Sequence, residues 1–526
     1  MAKKFVNSLY EPVVQTKYGK LRGFVLDGIF TFHGIQYAAA ERFQSPKPVE
    51  PWEGIKEATN YGYICPTLTN PAPSSELFIP HRFWPANEHC QYLNIWSAGL
   101  GEERKRPVMV WLHGGGYSDG SSIEQVAYEG DKLAEYGDVV VVTINHRLNI
   151  LGFLDMSSFS EKYANSVNAG MADIVAALEW IKENIAAFGG DPDNVTVFGQ
   201  SGGGGKVKSL MSIPEASGLY HRAIMMSGGC RVSKATSASH RALVEKMLQI
   251  LNISIENVEE LEVVPYEILN RAYQLAAEDE DSSSMRWEPV ANDWYLGDPY
   301  LVGFTDYAKT VPTLVGTVLA EFTAMSRPEE YSLDENKQME IVRNDFGETA
   351  DELSKIFKSV YPDKPIINMS KMDTTTRTDA VHFADVKNKV STAPTYLYNF
   401  ALNFDIMGGV PAWHCSDIPF VFHNSERVAC CNIEGITERL ESQMAGAWVN
   451  FAYTGNPNHA GLPKWKPYGE DKSTMIFDRN SRCESDPDSS LIHKMNQVKT
   501  PLTIEDILKQ NSKSHKNKKQ EKNWMY

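Results

Sequence analysis

Ser201 lies in the run VTVFGQSGGGGKV, residues 195–207. Apolar and β-branched residues precede it, and four consecutive glycines, Gly202 to Gly205, follow it. A glycine inside a helix costs roughly 1 kcal/mol relative to alanine, so four at the start of a helical stretch call for a steric or chemical reason. A strand that ends in Gly-x-Ser-x-Gly and turns at once into a helix supplies one. Such a turn is sharp and strained, and it presents the serine hydroxyl as a nucleophile at the top of a sheet. Gly199 and Gly203, two residues to either side of the serine, would pass too close to their surroundings for a Cβ. The helix N-terminus beneath favours developing negative charge, and Gly202 can turn its N–H toward an oxyanion. Gly204 and Gly205 exceed the motif and suggest close packing of the helix on its neighbours. The competing reading is a glycine-rich turn with no chemistry.

A second feature, WLHGGGY, places His113, Gly114, Gly115 and Gly116 just past a buried strand. Glycines there let backbone N–H groups converge on one point, as an oxyanion hole requires. Alone, the motif could be a loop; upstream of a serine elbow it gains meaning. A serine hydroxyl also needs a base, and the base an orienting acid. Glu321 follows the strand-like TLVGTVLA and would sit at its C-terminal end, where ligands bind in open α/β sheets. His414 lies in the glycine-bearing loop GGVPAWHCSDIPFVF, but it is one of 13 histidines, so position alone does not select it.

The elements that must carry these residues follow from periodicity. Buried strands are predicted at Pro107 to Leu112, Val139 to Ile144, Asn194 to Gly199, Ala223 to Gly228, Thr313 to Val318 and Thr395 to Phe400. Ile174, Ala177, Leu178, Ile181 and Ile185 recur at helical spacing, and Gly189-Gly190 close that helix. Residues 12–35 read as β-hairpins at a sheet edge, turning at Tyr18-Gly19 and Asp27-Gly28. Strands alternating with helices argue for a mostly parallel sheet. The polar, helical stretch at about 231–301 reads as an insertion over that sheet. Residues 1–505 are expected to form one domain, and 506–526 a basic tail.

Composition narrows the function classes. The 526 residues carry a net charge of −16, which argues against a nucleic-acid partner. From Lys509 to the end, six lysines stand against one glutamate; a solvated terminus and a contact with an acidic surface are the two readings. The N-terminus lacks the apolar run of a secretory signal, and no stretch is long enough for a membrane span. Seven cysteines, an odd number at low density, suit a reducing compartment, so a cytoplasmic location is expected and the sequons at Asn194, Asn252 and Asn368 are expected to be idle.

The chain resembles the type-B carboxylesterase family, which includes cholinesterases and microbial p-nitrobenzyl esterases. GIQYAAAERFQSPKPVEPW is similar to the family's N-terminal signature and EHCQYLNIW to its Glu-Asp-Cys-Leu-Tyr-Leu-Asn block. HGGGY, the stretch NAGMADIVAALEWIKENIAAFGGDPDNVTVFGQSGGGG, and GLYHRAIMMSG then follow in the family's order. The resemblance runs from about Pro12 to about Leu502. It implies an α/β-hydrolase fold: a large, mostly parallel central sheet flanked by helices, with helical insertions over the active site.

It also implies Ser201 as nucleophile, Glu321 as acid, His414 as base, and Gly115, Gly116 and Gly202 as the oxyanion hole. Two buried ion pairs are implied, Arg42 with Glu88 and Arg147 with Asp173. Ser227 would either brace the histidine loop or be an ordinary core serine. The expected activity is hydrolysis of small carboxylic esters through an acyl-enzyme, with no metal or cofactor, in a monomer or weak oligomer. A lipase or amidase on the same residues, or a catalytically silent binding protein of the same fold, are the alternatives.

The sequence departs from the family in places. Gln200 stands for the usual glutamate, Gly202 for alanine, and Phe322 for the glycine that follows the acid in many members. Cys65 and Cys90 match a disulfide of secreted members and are expected here as thiols. Trp84 is out of register with the choline-site tryptophan of cholinesterases. Cys415, beside the expected base, reads as an inert thiol or as a site of thiol sensitivity.

Overall fold

The computed structural model describes residues 4–68, 78–101, 103–233, 237–278 and 287–500; the basic tail lies outside them. Twelve strands form one sheet. In chain order they are β1 (Phe5–Val6), β2 (Phe24–Leu26), β3 (Ile29–Gln36), β4 (Tyr92–Ser97), β5 (Arg106–Leu112), β6 (Val140–Ile144), β7 (Gly190–Gln200), β8 (Arg222–Met226), β9 (Thr313–Val318), β10 (Thr395–Phe400), β11 (Ser473–Phe477) and β12 (Arg482–Ser485). Their spatial order is β1-β2-β3-β4-β6-β5-β7-β8-β9-β10-β11-β12. From β6 across to β11 every neighbouring pair is parallel; the pairs outside that block are antiparallel.

A parallel sheet must be covered on both faces, and the strands are written for that. Along β5, Val108, Val110 and Leu112 enter the core on one face, while Met109 and Trp111 enter the core on the other, as the two-residue period of a strand requires. The second core is aromatic beneath the centre of the sheet: the Trp111 ring lies 4.9 Å from Phe198 and 5.0 Å from both Tyr128 and Phe422. Helices α1 (Ala169–Asn184), α2 (Gly202–Leu210), α3 (Ser237–Leu251), α4 (Tyr266–Ala277), α5 (Glu335–Phe346), α6 (Ala350–Val360), α7 (Thr376–Val390) and α8 (Thr437–Thr454) cover the sheet.

The structure departs from the expected elements in several places. Strand β8 stops at Met226 rather than Gly228 because Ser227 takes a φ of 47°. Helix α1 is buried nearly all round, with Met171, Val175 and Trp180 inside as well as the periodic stripe. Only the second N-terminal hairpin joins the main sheet. Its turn, Asp27-Gly28, has positive φ at both residues, the geometry that tight hairpins favour, and Phe5–Val6 pairs outside it. The first hairpin belongs instead to a three-stranded sheet with Ile55–Glu57. Helices α5, α6 and α7, between β9 and β10, were not foreseen as elements.

Both ion pairs form. Arg147 grips Asp173 with two hydrogen bonds of 2.7 and 2.8 Å and also reaches the carbonyls of Glu41 and Gln44. It thereby ties α1 and the N-terminal loop to the end of β6. The second pair is less enclosed than expected: Arg42 is buried, but Glu88 is one-quarter exposed because it sits at the rim, while Arg42 turns inward to the carbonyls of Leu261 and Val264. Cys65 and Cys90 are buried free thiols, and Cys65 accepts a hydrogen bond from the Leu148 N–H at 3.3 Å. Among the described residues no helix is long and apolar enough to cross a membrane.

Removing one member of a buried ion pair leaves an uncompensated charge. Arg147→Met, which strands the fully buried Asp173, is expected to lower stability by about 3–5 kcal/mol, measured as the shift of a denaturant midpoint.

Candidate active site

The chemistry-bearing residues come from the C-terminal ends of four parallel strands, the edge at which open α/β sheets bind ligands. Strand β7 runs straight into Ser201, which stands between it and α2 with φ 58° and ψ −123°. This conformation is strained for a residue with a side chain, and backbone contacts hold it. The Ser201 N–H donates to the Met226 carbonyl at 2.8 Å, and its own carbonyl accepts from Gly205.

The glycines around the serine are required sterically. A Cβ on Gly199 would lie 2.6 Å from the Gly203 carbonyl carbon and 2.7 Å from the Leu112 oxygen. One on Gly203 would collide with the Leu112 carbonyl, and one on Gly202 with the backbone of Gly116. Gly204 packs on Gly228, where a Cβ would meet the carbonyl oxygen at 2.8 Å, and Gly205 faces the Tyr117 hydroxyl at 2.9 Å. The two glycines beyond the motif thus serve close packing, as their excess suggested.

The loop after β5 lies against this turn. Gly115 and Gly116 take φ of 81° and 64°, the left-handed region that glycine enters without strain. The Gly115 carbonyl closes the turn by accepting from Asp119 at 3.0 Å and Ser118 at 3.3 Å. Gly114 packs against Gln200 and Ser201, where a Cβ would sit 3.4 Å from the serine Cβ. Gly115, Gly116 and Gly202 are therefore brought together beside Ser201.

Glu321 follows β9 and is buried. Its Oε2 lies 2.6 Å from Nδ1 of His414, and its Oε1 accepts the Val318 N–H at 3.0 Å. The His414 N–H donates to the Glu321 carbonyl at 2.8 Å, so backbone and side chain both join the acid to the histidine. The Phe322 ring lies 4.1 Å from the imidazole centroid. This gives a contact to the side chain that replaces the family's glycine.

Gln200, adjacent to Ser201, meets the same imidazole from the other direction, its Nε2 at 3.2 Å from the ring Nε2. The Cys415 thiol donates to Gln200 Oε1 at 3.2 Å, which leaves the amide nitrogen to face the ring. Burial pushes that thiol well above its ordinary range, so little thiolate forms, in line with an inert cysteine. Ser227 sits at the end of β8 with its hydroxyl buried, and its N–H donates to the Gly316 carbonyl at 2.8 Å. Among the described residues its hydroxyl meets no hydrogen-bond partner, so no side-chain bond ties it to the histidine loop.

Two carboxyls near the acid escaped the sequence reading. Asp417 is pushed up to about 7 by burial, with the charge of Glu321 adding to the effect, although the Tyr398 hydroxyl donates to it at 2.9 Å. Asp373 is likewise pushed up to about 7, by burial and then by Glu321, while it accepts the Thr376 N–H at 2.7 Å at the start of α7. Both are acids held at the edge of neutrality around Glu321. An Asp three residues past the histidine was the visible signal; Asp373 gave none.

A mostly parallel sheet with a serine elbow, an acid and a histidine at its C-terminal edge defines an α/β-hydrolase. Residues 10–491 match the carboxylesterase family, and the chain belongs to it. It is accordingly a carboxylic ester hydrolase. It is similar to the para-nitrobenzyl esterase of Bacillus subtilis, 34% identical over 496 residues, covering 92% of this chain and 98% of that one. Among solved structures it is similar to an esterase from the anaerobe Clostridium hathewayi, described as able to hydrolyze aliphatic aromatic polyesters. That comparison gives 47% identity and a TM-score of 0.90 and covers 94% of this chain and 100% of that one. It is also similar to a Geobacillus stearothermophilus carboxylesterase, with 34% identity, a TM-score of 0.71, and 92% and 100% coverage.

Two consequences of this geometry are measurable. Gly203→Ala, forced against the Leu112 carbonyl, is expected to destabilise the protein by about 1–3 kcal/mol, seen in its melting temperature, and to lower activity in parallel. The raised Asp417 makes a stability contribution that is complete below about pH 4 and lost as pH rises toward 7. Asp417→Asn lacks that loss. Its stability relative to wild type is therefore expected to rise between pH 4 and 8, by on the order of 2–4 kcal/mol, as read by denaturant melts at both ends.

Proposed function

We propose that this esterase works through an acyl-enzyme on Ser201, with His414 as general base and Glu321 as its orienting acid. The observation that carries the reading is the continuous contact from Glu321 Oε2 through the His414 ring to Gln200, the residue that precedes Ser201. With Nδ1–H donating to Glu321, Nε2 is the ring nitrogen left to take the serine proton. The hydroxyl oxygen then attacks the ester carbonyl carbon, and the oxygen that becomes negative is received by the N–H groups of Gly115, Gly116 and Gly202. The imidazolium, stabilised by Glu321, returns the proton to the departing alkoxide. Water enters, gives a proton to the same nitrogen and attacks the acyl carbon; the bond to Ser201 Oγ breaks, Oγ takes the proton back from His414, and the acid leaves and ionises to the carboxylate. One sheet supplies every member of the set.

The C. hathewayi esterase's action on aliphatic aromatic polyesters, at 47% identity over nearly the whole chain, supports extending the substrates from small aliphatic esters to esters of aromatic acids. The deciding experiment compares wild type and Ser201→Ala on p-nitrophenyl acetate, butyrate and octanoate and on a soluble terephthalate diester. Ser201→Ala is expected to lose at least about 10³-fold in kcat/KM on all of them. Near-native turnover by the variant would overturn the nucleophile assignment. A wild type active on the aliphatic esters and inert on the terephthalate would remove the aromatic extension alone.

A further inference from the structure

Helix α2 begins beneath Ser201 and carries two buried lysines, Lys206 and Lys208. Lys208 is a conventional buried cation: its Nζ lies 2.6 Å from a carboxylate oxygen of Asp298. Lys206 is fully buried and makes a different contact. Its Nζ donates to the main-chain carbonyl of His113 at 2.9 Å, its one hydrogen-bond acceptor among the described residues, with the Tyr117 ring 5.9 Å away. Burying an ammonium against a carbonyl rather than a carboxylate is unfavourable, and its position suggests what offsets that.

His113 is the first residue past β5, at the root of the loop whose next residues are Gly114, Gly115 and Gly116. Glycines have the largest backbone freedom to lose, so a loop built of them holds its N–H groups in place only if it is anchored from outside. Lys206 is one helical turn beyond Gly202, the proposed third donor, and so on the same face of α2. Between them Gly203 lies flush on the carbonyls of Leu112 and His113. One side chain thus joins the helix that carries one donor to the loop that carries the other two.

We propose that Lys206 is a positioning residue that locks the two halves of the oxyanion hole together and sets a positive charge behind it. This rests on the assignment of Ser201 and of Gly115, Gly116 and Gly202 made above. The groups facing the ammonium are the His113 carbonyl, the Tyr117 ring, the imidazoles of His113 and His146, and the carboxylate of Glu124. Both imidazoles are kept neutral by burial and by the charge of Lys206 itself. Burial also brings Lys206 down to about 7 while the field of Glu124 raises it; Glu124 is in turn pushed up to about 7 by burial. The charge of Lys206 is therefore complete at low pH and lost as pH rises through neutrality, and Glu124 delays that loss.

The test is steady-state hydrolysis of p-nitrophenyl butyrate by wild type, Lys206→Met, Glu124→Gln and Ser201→Ala, with melting temperatures and fluorophosphonate titration of the active serine. Methionine keeps the length of the side chain and removes its charge and donors. Lys206→Met is expected to lose 10- to 100-fold in kcat with KM within twofold of wild type, while it melts normally and still labels to one equivalent. A kcat within twofold of wild type, or a change confined to KM, would overturn the proposal.

Should Lys206→Met fail to fold, Glu124→Gln decides. With that carboxylate gone, the alkaline limb of the kcat profile is expected to move to lower pH, and a limb that stays in place would overturn the proposal. Loss of activity in Ser201→Ala together with an unaffected Lys206→Met would remove the role of Lys206 alone. Activity retained by Ser201→Ala would remove the site assignment beneath it.

Discussion

Everything at the sheet edge that carries Ser201 depends on how closely three main-chain segments approach one another. The end of β5, the turn from β7 into α2, and the chain leaving β8 meet with no side chain between them. Gly202 rests on Gly116, Gly203 on Leu112, Gly204 on Gly228, and Gly228 on the carbonyl of Ser201. Each of these contacts would be broken by a single Cβ. The four-glycine run answers that constraint, and its conformational cost of roughly 1 kcal/mol per glycine in a helix interior is set against a sheet buried on both faces. Because the glycines fall in the first turn of α2, where helical hydrogen bonds are fewest, the cost is smaller than in mid-helix.

The parallel sheet turns that local contact into a site. Strands β5, β7 and β9, with the loop beyond β10, deliver the glycine loop, the serine, the acid and the histidine to one edge. The Glu321 side chain bonds back to Val318 at the end of its own strand, and its carbonyl receives the His414 N–H. The acid is therefore fixed to the sheet and the histidine loop to the acid. Arg147 and Asp173 act in the same sense further out, bracing the N-terminal loop against α1.

How much of this could be read from the sequence followed the range of the interactions. The elbow and the glycine loop are local, since each is defined within a few residues, and both stood out. The strands β5 to β10 did too, because continuous apolar runs have few other uses; β8 was overrun by two residues because nothing in MMSGG announces that Ser227 turns left-handed. The histidine was not legible from spacing, and the family resemblance was needed to choose His414 among 13. Asp373 and Lys206 were missed for a related reason. A charged residue on a helix or in a loop reads as solvated until the packing shows that it is enclosed, and their burial is decided by partners far away in sequence.

What packing adds is the charge balance of the site. Glu321 sits among carboxyls that burial moves toward neutrality: Asp373 and Asp417 are both raised. At position 200, where the family usually has a glutamate, an amide meets the imidazole, so a second carboxylate does not compete with Glu321 for it. In a low-dielectric setting the interaction between fixed charges and dipoles is several times stronger than in water. Spreading full charges around the imidazole would tie up its proton, whereas a site that holds few of them leaves the oriented N–H dipoles and the Glu321–His414 pair as the dominant fields. The chain reaches that state by burying Asp373 and Asp417 until they tend to neutrality, while the glycines let the main-chain segments meet beside the serine.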